Sequence, residues 1–127
     1  MKNKEDFQSV FNRLKTILVN YESNLVVTAN EVGNYSLNTP FIMKYGKEIF
    51  FAAVIINKNY VSYHLMPVYV FPELLDGLST GLMKRMQGKS CFNFTALNSE
   101  ILEELSELTS KGYSRFQQEG RAGSTEE

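Results

Sequence analysis

Cysteine is almost missing from this chain, and so are long apolar runs, an excess of charge of one sign and any tryptophan. The lone Cys91 excludes an internal disulfide and any zinc or iron-sulfur site built from several thiolates of one chain. The apolar run Ile49 to Ile56 falls far short of the roughly 20 residues that a bilayer requires. The opening MKNKED turns acidic where a secretory leader turns apolar, so a reducing cytoplasm is the expected compartment. With 13 basic against 14 acidic residues, the chain lacks the basic excess from which nucleic-acid binders draw most of their affinity. Neither a membrane nor a nucleic acid is expected as a partner, and no internal repeat is visible.

What is present is enough for one core. At 127 residues the chain has the length of an ordinary domain, and its 43% hydrophobic content excludes the apolar depletion of disordered segments. One domain over residues 1–118 is expected, with residues 119–127 as a flexible tail. Charge is uneven along the chain. Residues 40–97 carry Lys44, Lys47, Lys58, Lys84, Arg85 and Lys89 against Glu48, Glu73 and Asp76, a net +3, and the seven acids beyond them outnumber Lys111, Arg115 and Arg121, a net −4.

Phe7, Val10, Phe11, Leu14, Ile17, Leu18 and Tyr21 recur at spacings of three and four and predict a helix from about Asp6 to Asn20. In NLVVTANEVGNYSLNTP the β-branched runs are broken at Asn-Glu-Val-Gly-Asn. Gly and Asn tolerate positive φ, so a hairpin turn is expected there, with a loop after Pro40. EIFFAAVIINKNYVSYHLM predicts a second hairpin across Asn57-Lys58-Asn59. In its first arm Ile49, Phe51, Ala53 and Ile55 are expected on one face and Phe50, Ala52, Val54 and Ile56 on the other. Both sets are apolar, as in a central strand covered on both sides. In the second arm Val61, Tyr63 and Leu65 form the core set, which leaves Tyr60, Ser62 and His64 opposite. Pro72 predicts the first turn of a short helix through Leu75, and Ser79 caps another that Gly88 stops. SCFNFTA alternates as a strand, with Phe92 and Phe94 facing one way and Cys91, Asn93 and Thr95 the other. Asn98 or Ser99 caps a last helix whose buried stripe is Ile101, Leu105, Leu108, Gly112 and Phe116. Close packing is expected at Gly112, with a C-terminal cap as the alternative.

Three constellations carry potential chemistry. Gly88-Lys89-Ser90 ends like a phosphate-binding P-loop, but the position of the first glycine is Met83, and a strand rather than a helix follows Ser90. It reads as a helix stop leading into the sheet. Glu100, Glu103, Glu104 and Glu107 sit at i, i+3, i+4 and i+7, on one face of the last helix. Their mutual repulsion costs about 1–2 kcal/mol in total, and the helix dipole offsets about 0.3–1 kcal/mol for each of the first two. The quartet therefore needs no cation, and it reads either as a solvated face or as a weak, oxygen-lined cation site. Third, parity sets Cys91 and Asn93 on the face of Tyr60, Ser62 and His64. That face must be covered by the Met66 to Gln87 segment, a second subunit or a ligand. A Cys91–His64 nucleophile needs hydrogen-bond reach and an oxyanion site. Met66, Tyr69 and Phe71 in HLMPVYVFPELL offer an alternative dimer surface.

FFAAVIINKNYVSYHLMPVYVFPELL, followed by QGKSCFNF and a closing amphipathic helix, resembles the YdhG-like family of small bacterial domains over about residues 40 to 116. The resemblance implies an α+β fold similar to frataxin, with the N- and C-terminal helices packed on one face of an antiparallel sheet. One member of that family is regarded as a frataxin-like iron chaperone, and iron binding in frataxins is associated with an acidic surface. The resemblance thus implies Fe²⁺ at Glu100, Glu103, Glu104 and Glu107. The family's tryptophan-containing loop reads NYSLNTPFIMKYG here. A non-enzymatic, cytoplasmic binding domain is expected, handling Fe²⁺ through those glutamates or binding a small molecule or a second copy on the Tyr60, Ser62, His64, Cys91 and Asn93 face. A Cys–His enzyme is the remaining alternative.

Overall fold

The structure, a computed structural model, describes residues 6–42 and 48–118. The tail expected over residues 119–127 lies outside them. Helix α1, Phe7–Val19, starts where the Asp6 carboxylate accepts a hydrogen bond from the Gln8 backbone at 3.4 Å. It buries Val10, Phe11, Leu14, Ile17 and Leu18, the predicted stripe. Each such side chain contributes about 1.5–3 kcal/mol on burial, more than the roughly 1 kcal/mol of a cap. A single 3₁₀ turn, Glu22–Asn24, then leads into the sheet.

The sheet has five strands in the order β1-β2-β3-β4-β5, all neighbours antiparallel: β1 Val26–Glu31, β2 Asn34–Ile42, β3 Glu48–Ile56, β4 Val61–Leu65 and β5 Cys91–Phe94. Val32 and Gly33 close the first hairpin, and Gly33 supplies the positive φ of +82° that this tight turn requires. The Asn57 backbone N–H donates to Tyr60 O at 2.8 Å and closes the second. Between β4 and β5 the chain forms α2, Met66–Val70, a 3₁₀ turn at Pro72–Leu75 and α3, Thr80–Met83. Helix α4, Ser99–Gln118, closes the fold, and Asn98 is its cap, accepting from the Ile101 backbone at 2.8 Å. No helix among the described residues is long and apolar enough to cross a membrane.

The fold is therefore α+β, with α1 and α4 in contact with each other and with the sheet's inner face. Tyr35, Leu37, Ala52, Val54, Val61, Tyr63, Leu65, Phe92 and Phe94 form that inner face, with Val54 opposite Tyr63 and Tyr63 opposite Phe92. The buried Tyr63 hydroxyl is hydrogen-bonded to Thr109 on α4 at 2.6 Å and the Tyr35 hydroxyl donates to the Glu22 carboxylate, so the polar groups of both buried tyrosines are satisfied. Gly112 is the close approach that its phase predicts: a Cβ there would lie 2.8 Å from Pro67 Cβ, so α2 and α4 meet backbone to ring.

Five expectations need correction. The parity of β3 does not run unbroken: Ala52 pairs with Leu37 but Phe50 with Asn38, so a bulge places one extra residue at Phe51. Phe51 consequently turns inward, its ring 5.8 Å from Phe116 and 5.9 Å from Tyr113, and Ile49 packs on the core with it, leaving Phe50 outward. Nor is β3 covered on both sides, because α1 and α2 contact it from the core side and α4 lies over the same layer. The loop expected after Pro40 does not start there, since β2 runs to Ile42, and residues 43–47 lie outside the described ones; β1 ends its pairing at Asn38, so Pro40 lies where β3 is the sole neighbour and its missing N–H breaks no second ladder. Helix α3 stops at Met83, well before Gly88, because Arg85 to Gln87 pair with β5 instead: Asn93 N–H donates to Arg85 O and Gln87 N–H to Cys91 O, both at 2.8 Å. Finally, α2 was not legible as a helix; it begins directly after β4 with a proline in its first turn.

Candidate functional site on the outer sheet face

Two rows of side chains cross the outer face. Ser36, Ala53, His64 and Cys91 are register partners from β2 to β5, and Asn34, Ile55, Ser62 and Asn93 form the next row. The side-chain period of two makes this a direct consequence of the inward set Tyr35, Val54, Tyr63 and Phe92. Cys91, Asn93, Ser62 and His64 therefore do share a face, as the alternation predicts. Tyr60 lies just outside β4, 37% exposed, and is not among the residues that line the groove on this face.

Hydrogen bonds link the polar members. Asn57 Nδ2 donates to Ser62 Oγ at 2.7 Å, Ser62 Oγ donates to Asn93 Oδ1 at 3.0 Å, and Cys91 Sγ donates to the same oxygen at 3.3 Å. Cys91 Sγ lies 4.0 Å from His64 Nε2. Burial pushes the thiol pKa up, against a smaller lowering by Ser62, and burial pushes the imidazole pKa down. Both groups are held neutral near pH 7. A nucleophilic pair needs the opposite, a thiolate stabilised by a nearby cation, so this arrangement does not favour Cys–His catalysis.

Beside the polar chain lies a groove of about 380 Å³. Phe50, Ala53 and Ile55 give it an apolar floor, Thr28, Asn34 and Ser36 line the side toward β1 and β2, and His64 closes the other side. None of its lining residues carries a charge at neutral pH. Sequence reasoning missed the contribution of β2, although Asn34 and Ser36 were readable as the outward partners of Tyr35 and Leu37. It also took Asn57 for a turn residue only, and nothing in its spacing announces the bond to Ser62.

The remaining constellations come apart. Glu104 accepts from the Ser79 backbone N–H at 2.7 Å and from Ser79 Oγ at 2.6 Å, which secures the start of α3. Glu100 borders a cavity with Arg85, Glu103 a groove with Arg13 between α1 and α4, and Glu107 a small cavity with Lys111. Glu104 also lines the Glu100 cavity and the Glu107 cavity, yet among the described residues no three His, Cys, Asp or Glu side chains, these four included, are arranged to hold a metal ion. Gly88-Lys89-Ser90 is a turn, with Gly88 at φ +81° and Ser90 O accepting from Leu65 N–H at 2.8 Å. Of the proposed dimer surface, Tyr69 is 55% exposed, but Met66 packs on the core and Phe71 lies between Phe116 and the Arg115 guanidinium, 4.0 Å from its ring. Compared with protein-family models, with curated proteins and with solved structures, the chain matches none.

Proposed function

We propose that this chain is a binding domain of the YdhG-like, frataxin-like type, without catalytic activity, and that it takes an uncharged, partly apolar small molecule on its outer sheet face. The observation that carries this reading is the groove of about 380 Å³, apolar on its floor, polar on its rim and uncharged throughout. Its volume is within the roughly 300–1,000 Å³ of small-molecule sites. An ion buried there would have no counter-charge and would lose hydration without compensation. A neutral ligand fits both surfaces, with its body on Phe50, Ala53 and Ile55 and its polar edge on Ser36, Asn34 and His64. The antiparallel order of the sheet and the pairing of α1 with α4 support the family reading. Fe²⁺ handling is not part of the proposal, because among the described residues the four glutamates on α4 form no group of three able to hold a metal ion.

Screening a set of neutral heteroaromatic fragments by amide chemical shift tests it. Binders are expected to move Ser36, Ala53, Ile55 and His64 together, and Ala53→Leu, which fills the groove floor, is expected to weaken them at least tenfold. Shifts confined to other surfaces, or a self-associating chain whose second copy occupies this face, would overturn the reading.

A further inference from the structure

The chain has one thiol and one imidazole, and the register of β4 with β5 sets them side by side, His64 opposite Cys91. Sγ and Nε2 are 4.0 Å apart, and among the described residues His64 Nε2 has no hydrogen-bond partner closer than that sulfur. Metal–sulfur and metal–nitrogen bonds of about 2.3 and 2.0–2.1 Å, taking zinc as the yardstick, would separate the donors by roughly 3.6 Å at a tetrahedral angle and by about 4.3–4.4 Å in line. The observed span lies midway between the two, at an angle of about 134° with these bond lengths. Two donors at a wide angle suit a d¹⁰ ion of low coordination number, and thiolate with imidazole selects soft ions over hard ones.

Charge narrows the choice further. Both groups are half-buried among neutral partners, Asn93, Ser62 and Ala53. Binding would replace the thiol proton by the metal, releasing one H⁺ and leaving thiolate, neutral imidazole and cation. With a monovalent ion these sum to zero, whereas a divalent ion would leave an uncompensated positive charge, because the register neighbours of His64 and Cys91 are uncharged and Glu31, the carboxylate on this face among the described residues, stands on β1 at the far edge of the sheet. We propose that Cys91 Sγ and His64 Nε2 form a two-donor site for a soft monovalent cation of the Cu⁺ or Ag⁺ class. The lack of a third His, Cys, Asp or Glu donor among the described residues agrees with such an ion and disfavours zinc. The site lies at the His64 end of the groove but does not depend on the groove being occupied.

Ag⁺ is the probe, since it needs no reductant. The full chain, titrated with Ag⁺ near pH 7, is expected to bind one ion per chain, release one proton and shift the His64 imidazole ¹⁵N resonances. Affinity is expected to fall at least tenfold in His64→Ala and to vanish in Cys91→Ser. Imidazole resonances that stay in place while Ag⁺ binds, or equal affinity of the wild type and His64→Ala, would mean that the thiol acts alone and would overturn the site. The imidazole readout is made on the wild type and so does not depend on the folding of either variant. Because the ion alone is used, failure here would leave the small-molecule reading untouched, and failure of the fragment screen would leave this one.

Discussion

His64 is a residue whose protonation the fold opposes. Burial lowers its pKa from the ordinary 6.5, so in the pH range just below that value the unfolded chain takes up a proton that the folded chain does not. Stability therefore falls as pH drops through about 6.5 and levels off once the folded-state pKa is passed. Urea denaturation of wild type and His64→Gln between pH 7.5 and 5 is expected to show the wild type losing more stability over this interval. Equal slopes would mean that the imidazole is solvated in the folded state. That His64 and Cys91 share a face was readable from sequence because alternation in YVSYHL and SCFNF is regular and both strands are short; that the register sets them opposite each other was not. The bond from Asn57 to Ser62 was not readable, since it depends on where a turn side chain reaches and not on any repeating pattern.

Among the elements, α4 and its seat against α2 give the sharpest test. Placing alanine at Gly112 gains roughly 0.8–1 kcal/mol of helix propensity. It also forces a Cβ to 2.8 Å from Pro67 Cβ, an overpacking that costs about 1–3 kcal/mol. Since the neighbour is a proline ring held in α2, the steric cost is expected to win: Gly112→Ala should lower stability by about 1 kcal/mol in chemical denaturation, whereas Gly77→Ala, with open space but a φ of +85°, is strained for backbone reasons alone. A Gly112→Ala chain more stable than wild type would contradict the packing. The helix stripes were legible because they follow a 3.6-residue period over many turns. The bulge at Phe51 was not, because IFFAAVII is apolar at every position and a one-residue slip leaves no mark in such a run.

At the scale of the molecule, the decisive asymmetry among the described residues is a five-stranded sheet with its helices on one side. The near-continuous apolar character of β3 argued for cover on both sides, yet the outward residues are Phe50, Ala53 and Ile55, of which Ala53 is already 97% hidden by its neighbours on the sheet itself. Small size and cross-strand neighbours bury it without a second layer, an outcome that residue hydrophobicity alone cannot distinguish from burial under a helix. An uncharged soluble paramagnetic probe measures this cover directly through its relaxation of methyl and ring protons. The account predicts strong enhancement at the Ile55 methyls and the Phe50 and His64 rings, and little at Val54 and Leu65 on the opposite side. Equal protection of Ile55 and Val54 would mean that the outer face is sealed, and would contradict the groove on which the proposed binding function rests.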